Sequence, residues 1–113
     1  MPPMDLTWTD TVEFDALPIR VYFVRSPSQA DILALDELIV GWHRVGVCGG
    51  FEGTVHDAQL NGVRREDATS VYEAVLDVGS APRLAVDVFV RALEGLGRHI
   101  EADRAELGWR EGE

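Results

Sequence analysis

The sequence predicts a single α+β domain in which two helices cover one face of a β-sheet. Several short segments alternate apolar and polar residues with the period of a strand, whereas two longer segments have the period of a helix. The length agrees with this, because 113 residues, 46% of them hydrophobic, suffice for the core of one domain but not of two. We therefore assign residues 1–113 to one domain and expect residues 1–5 and 108–113 to be mobile ends.

Two strands are predicted at the start of the chain. Residues 6–14 alternate between apolar side chains and threonines or acids, and residues 19–24 alternate again after a turn-forming "DALP". A short turn between two strands favours an antiparallel hairpin. In the second strand, one face carries Ile19, Val21 and Phe23, and the other carries Arg20, Tyr22 and Val24.

The first helix is predicted to begin after Ser28 and to end near Trp42. Serine is a favourable N-cap residue, and Asp31 places a negative charge in the first turn, where the helix dipole favours it. Apolar residues then recur at helical spacing as far as Trp42.

The second helix is predicted to follow Ser80 and Pro82, which are typical of a helix start. Its polar residues form one narrow stripe, made of Arg83, Asp87, Arg91 and Glu94. Because nearly all its other residues are apolar, we expect this helix to be deeply packed. We expect Gly95 and Gly97 to end it.

The stretch between the helices, "WHRVGVCGGFEGTVHDAQL" at residues 42–60, raises the question of a metal or catalytic site. It contains His43, His56 and the single cysteine, Cys48. A two-residue turn at Gly49–Gly50 would place the two histidines opposite each other, but it would mix apolar and polar residues on both faces of the hairpin. We therefore reject that register.

Two other structures keep the apolar residues of this stretch on one face. One is a long strand bent at its glycines, and the other is a hairpin with a three-residue loop at Cys48–Gly50. Both separate the histidines, so the sequence predicts no metal site and no cofactor. In both, the buried face is formed by Val45, Val47, Phe51 and Val55.

The remaining strands complete the predicted topology. Residues 71–78 are apolar on both faces, which favours a strand inside the sheet, and "RHIEAD" at residues 98–103 favours a last strand. The order is then an extra N-terminal strand followed by βαββαβ. This is the plan of a ferredoxin-like two-layer sandwich, with an antiparallel sheet and two helices on one face.

Composition excludes several functions. The formal net charge is −10, and all ten basic residues are arginines, so lysine-based Schiff-base and P-loop chemistry is ruled out. An acidic domain with scattered arginines is disfavoured as a nucleic-acid binder. No segment approaches the about 20 consecutive apolar residues of a membrane helix. One cysteine and no secretory signal favour the cytoplasm.

The first hypothesis on function is a non-catalytic, acidic protein-binding module, such as an inhibitor, an immunity-type protein or an accessory subunit. Its carboxylates would meet a basic protein partner and speed association by long-range attraction. We assign no catalytic residue. The predicted partner-binding residues lie on the first helix and near the chain end: Asp31, Asp36, Glu37, Glu101, Asp103 and Glu106.

The alternative hypothesis is a small-molecule-binding protein or enzyme of the dimeric α+β-barrel type. Tyr22 and Val24 on one strand, with Val71 and Val75 on another, would leave the uncovered sheet face apolar, which favours a homodimer through that face. The pocket between the sheets would take its polar groups from Tyr22, Glu52, His56 and Glu73.

Overall fold

The computed structural model describes residues 4–49 and 57–110. Over these residues the chain is α+β, with a five-stranded mixed sheet and two helices. The elements in chain order are β1 (Asp5–Trp8), β2 (Leu17–Phe23), α1 (Gln29–Val47), β3 (Asp57–Glu66), β4 (Thr69–Asp77), α2 (Arg83–His99) and β5 (Arg104–Leu107).

The sheet order is β1-β5-β2-β4-β3. All neighbouring strands are antiparallel except β1 and β5, which are parallel. The predicted hairpin of the first two strands is therefore wrong, and so is the wholly antiparallel sheet. Alternation predicts that a segment is a strand but carries no information about its partner. Residues 9–16 reverse the direction of the chain, but β5 lies between β1 and β2, so the two strands do not pair.

One core lies between the sheet and the helices. In β2 the predicted inner face is confirmed, because Ile19, Val21 and Phe23 belong to the core cluster whereas Arg20 and Tyr22 do not. Trp42 of α1 joins the two helices: its indole nitrogen donates to the Ala85 carbonyl of α2 at 3.0 Å, and its ring contacts Phe89 edge to face. Both helices and the inner face of the sheet thus bury one continuous apolar cluster.

The start of α1 follows the prediction, but its end does not. Ser28 and Asp31 form a capping box, in which each side chain accepts a hydrogen bond from the other residue's backbone N–H. The helix then continues to Val47, so the predicted strand is wrong for residues 43–47. Val45 and Val47 are 48% and 59% exposed instead of buried.

The reason is that burial follows helical spacing up to Gly46, through Leu35, Ile39 and Trp42. Valine and glycine alternate around residue 46 with the two-residue period that is typical of a strand, although these residues are helical. Since His43 lies on the helix, it is not part of a strand ladder. The rest of the predicted buried face, Phe51 and Val55, lies outside the described residues, as does the choice between bent strand and hairpin loop.

Strands β3 and β4 form the hairpin of this sheet. They are joined at Asp67 and Ala68, and β4 is flanked by β2 and β3 as predicted. The sequence did not predict β3 beyond Leu60, since its later residues, such as Arg64 and Arg65, are polar. An edge strand tolerates this because it has solvent on one side.

The chain after β4 differs from the prediction in two places. Helix α2 passes through Gly95 and Gly97 and ends at His99, and the last strand begins at Arg104, after the predicted "RHIEAD". The polar stripe of α2 is exposed or half-buried as expected. However, Leu84 and Val88 are 75% and 54% exposed, so the helix is less deeply packed than predicted.

Residues 4–5 and 108–110 are the described parts of the two ends that the sequence predicts to be mobile. Met4 is buried in the core, and the backbone N–H of Gly108 donates to the Pro18 carbonyl at 3.0 Å. Residues 1–3 and 111–113 lie outside the described part of the chain. Within that part, neither helix has the length and hydropathy needed to cross a membrane.

Candidate functional site

The sheet face opposite the helices carries a chain of alternating charges, which we call the sheet-face network. It runs across four strands and the segment after β5. Its members, in spatial order, are Arg20, Glu106, Arg110, Glu66, Arg64 and Glu73.

Arg20 anchors the network at the middle of the sheet. Its side chain is 1% exposed, and its Nη2 lies 2.8 Å from Glu106 Oε1 and 2.7 Å from the Gly108 carbonyl oxygen. Strand pairing places Arg20 directly opposite Glu106, which is why the two side chains meet. A buried guanidinium requires such partners, since an unpaired buried charge is strongly destabilising.

Tyr22 lies next to Arg20 on the same face and is also buried. The Arg104 guanidinium is 3.8 Å from the centre of its ring, and that of Arg110 is 5.4 Å away. Val71, opposite Tyr22 on β4, is fully buried as well. The centre of the outer face is therefore not an exposed apolar surface, because Tyr22 lies beneath arginine side chains and Val71 is buried.

The network continues to the edge strand. Arg110 Nη1 lies 3.3 Å from Glu66, and Arg64 contacts both Glu66, at 2.7 Å, and Glu73. The hydrogen bonds that Arg64 donates to Glu73 and then to Glu66 hold the pKa of Arg64 above its usual value. The three arginines and three glutamates of the network balance one another.

The N-terminal segment has the opposite character. Residues 4–19 contain four acids and no basic residue. All four, Asp5, Asp10, Glu13 and Asp15, are exposed, and none of them forms an ion pair with another described residue. This segment therefore carries four exposed acids that form no ion pair within the described part of the chain.

The same segment forms one wall of an apolar cleft of about 400 Å³, which we call the N-terminal cleft. Trp8, Val12 and Phe14 are 42%, 36% and 51% exposed, although they are large apolar side chains. The opposite wall comes from the end of β4 and the start of α2. The residues on that wall are Val78, Ala81, Arg83, Val86 and Asp87.

A second, more polar cleft of about 480 Å³ lies on the other side of Trp8. It is lined by the segment after β1 and by Glu106, Trp109 and Arg110. The indole nitrogen of Trp109 is buried and has no hydrogen-bond acceptor among the described residues.

The six predicted partner-binding acids divide into two groups. Three are half-buried and hydrogen-bonded within the chain: Asp31 in the capping box, Asp36 as acceptor for the Tyr72 hydroxyl at 2.5 Å, and Glu106 in the sheet-face network. Burial, and then the hydrogen bond to Asp36, raises the pKa of Tyr72. Glu37, Glu101 and Asp103 are exposed, and Glu101 pairs with Arg25 at 2.9 Å.

The alternative pocket is described only in part. Tyr22 and Glu73 share the outer sheet face, where both belong to or touch the charged network. Glu52 and His56 lie outside the described residues. Cys48 is exposed as a free thiol just after α1, and no group of three or more potential metal ligands occurs within residues 4–49 and 57–110.

Sequence reasoning missed Trp8, Val12 and Phe14 as surface residues. Their alternation predicts a strand with an inner face, and only the position of the segment at the sheet edge exposes them. A cluster of four acids around three large apolar residues was a signal available in the sequence.

Comparison with known proteins assigns no family to the chain. No protein-family model matches it, and no curated protein shows significant sequence similarity to it.

Proposed function

We propose that this chain is a non-catalytic, acidic protein-binding module that recognises a basic surface on a protein partner, as an inhibitor, immunity-type or accessory protein does. The observation that carries this proposal is the uneven charge distribution. The sheet-face network neutralises its own charges, whereas the four carboxylates of the N-terminal segment have no partner among the described residues. Such a surface attracts a basic partner over distances set by the ionic strength.

The dimeric-barrel alternative has weaker support. It requires an apolar outer sheet face with a few polar groups, yet Tyr22 and Val71 are buried under the arginines of that face. Glu73, which would serve the pocket, is held in an ion pair with Arg64.

We also infer that the fold is the ferredoxin-like plan with β1 as an addition at the edge. Without β1, the elements run βαββαβ and the sheet order is β5-β2-β4-β3. Each βαβ unit then has parallel strands separated by one inserted strand, which is the split arrangement of that plan.

The proposed function is tested by capture of partners from the source organism with two charge variants. The first carries Asp10→Asn, Glu13→Gln and Asp15→Asn. The second carries Glu37→Gln, Asp67→Asn and Asp103→Asn, so both lose three negative charges and differ only in where they lose them. Binding kinetics of each are then measured against the captured partner at low and high salt.

We expect slower association of the first variant, a smaller change for the second, and slower association of the native chain as salt rises. Dissociation should change little, as is typical of charges at the rim of an interface. Greater weakening in the second variant would move the interface to the sequence-predicted acids Glu37 and Asp103. A partner that binds independently of salt and of both variants would contradict the proposal, as would turnover of a small molecule by the purified chain.

A further inference from the structure

We propose that the N-terminal cleft binds one large apolar side chain from a basic segment of the partner, while the acids around the cleft pair with arginines or lysines on either side of that anchor. This inference rests on the proposed function and deepens it, since it names the part of the surface that binds and the chemistry of the segment bound.

The apolar walls of the cleft are the first support. Trp8 and Phe14 expose about half of their side chains, which the folded chain leaves in contact with water. Aromatic residues around a pocket are typical of the centre of a protein interface, where they contribute most of the binding energy. Val78 and Val86, buried on the opposite wall, give the pocket an apolar floor.

The charges around the cleft select the occupant. Asp10, Glu13 and Asp15 are exposed and lie within two residues of the wall residues Val12 and Phe14, and Asp87 lines the cleft itself. Arg83 also lines the cleft, but it lies one helical turn before Asp87, so these two charges offset each other locally. The segment that forms the aromatic wall therefore carries a net negative charge, and a peptide with basic residues beside its anchor complements it.

The backbone of the wall is held in place before any partner binds. The Val78 N–H donates to the Phe14 carbonyl at 2.7 Å, and the Thr9 N–H donates to the Leu107 carbonyl at 2.8 Å. The Trp109 N–H donates to the Thr11 carbonyl at 2.8 Å. A wall fixed at three points loses little conformational entropy on binding, which favours affinity.

The test uses a random 12-residue peptide library displayed on phage and selected on the immobilised full-length chain at low salt. Enriched peptides are synthesised with a fluorescent label, and their dissociation constants are measured by anisotropy. Each is compared with two altered versions, one with its large apolar residue replaced by serine and one with its basic residues replaced by glutamine.

The protein variants are Phe14→Ala and Val12→Ala in the wall, with Leu33→Ala as the matched control. Leu33 is 56% exposed on α1 and does not line the cleft. The Leu33→Ala variant therefore loses a comparable exposed apolar side chain at a different place on the surface. Circular dichroism and thermal unfolding show that each variant is folded. Because Phe14 and Val12 are half-exposed, neither truncation removes core packing.

We expect enriched peptides to combine arginine or lysine with one leucine, isoleucine, phenylalanine or tryptophan. Either peptide alteration should weaken binding at least about tenfold, as should Phe14→Ala, whereas Leu33→Ala should leave it unchanged. Selection of basic peptides without an apolar residue, or equal effects of Phe14→Ala and Leu33→Ala on binding, would contradict the proposed apolar anchor. The proposal of an acidic protein-binding module would not be affected. Enrichment of acidic or uncharged peptides would overturn both.

Discussion

The environment of Arg20 in the structure differs from the one that its position in the sequence predicts. In the sequence it stands on the outer face of an alternating strand, where an arginine is expected to be solvated. In the structure it is the largest fully buried side chain, and its charge is met by Glu106 and the Gly108 carbonyl. Glu106 was predicted to be a partner-binding acid, but its first role is this internal one.

This role leads to a prediction for Glu106→Ala. The substitution removes the Glu106 carboxylate from the buried Arg20 guanidinium, so we expect the free energy of unfolding to fall by about 2–4 kcal/mol. Urea unfolding followed by tryptophan fluorescence measures it.

The matched control is Glu101→Ala, which breaks the exposed pair with Arg25 and should cost about 0–1 kcal/mol. If the two variants lose equal stability, the buried pair is not what holds the outer sheet face.

At the scale of the element, helix α2 extends beyond its predicted C-terminal end, because Gly97 is a packing position and not a helix C-cap. Glycine after an apolar run is a common helix C-cap, and on that ground the sequence predicts an end at Gly95 or Gly97. Instead the helix continues, and Gly97 is where Met4 packs against it: a Cβ atom there would lie 2.2 Å from Met4 Sδ and 2.6 Å from its Cε. Gly95 has no neighbour within 4 Å of such an atom.

Substitution by alanine is therefore expected to change the free energy of unfolding in opposite directions at the two glycines. Gly95→Ala should stabilise the protein by about 0.5–1 kcal/mol, because alanine favours the helix and meets open space. Gly97→Ala should destabilise it by about 1–2 kcal/mol, because displacing buried Met4 outweighs the gain in helix propensity.

Thermal and urea unfolding of both variants measure these effects. In a Met4→Ala background, where the obstructing atoms are gone, Gly97→Ala should become stabilising. Loss of stability from Gly97→Ala that persists in that background would show that Met4 is not the cause.

The sequence predicted which helices and strands occur better than it predicted the residues at which they begin and end. Both helix starts were predicted, because Ser28 and Pro82 are local signals that act within one turn. The end of α1 and the start of β5 were not. These two boundaries depend on which residues pack against the core, and the core is formed by residues that are distant in the sequence.

At the scale of the whole molecule, β1 has the largest consequence. It adds a parallel strand beside β5, brings Met4 into the core and leads the acidic segment to the wall of the N-terminal cleft. Without it, β5 would be a four-residue edge strand.

Deletion of residues 1–8 should therefore do more than remove an end. We expect a loss of at least about 3 kcal/mol in the free energy of unfolding, since a buried methionine and a strand pairing are lost together. The exposed edge of β5 should also promote association between molecules. Unfolding curves and light scattering at several concentrations measure the two effects.

Thr7→Ala is the control, because it trims an exposed side chain but keeps the backbone pairing of β1. A truncated chain that stays as stable and as monodisperse as this control would show that β1 is dispensable for the fold.

The sequence by itself determined the α+β class, the alternating inner face of β2, the helix starts, and an acidic charge without lysine. These follow from periodicity, capping and composition, which act within a few residues or depend on counts alone. The tertiary structure decided which strands pair, that Arg20 and Glu106 are buried partners, and that Trp8 and Phe14 remain exposed beside unpaired acids. The physical reason is that burial and charge pairing depend on neighbours in space. Arg20 and Glu106, for example, are neighbours in space although they stand 86 positions apart in the chain.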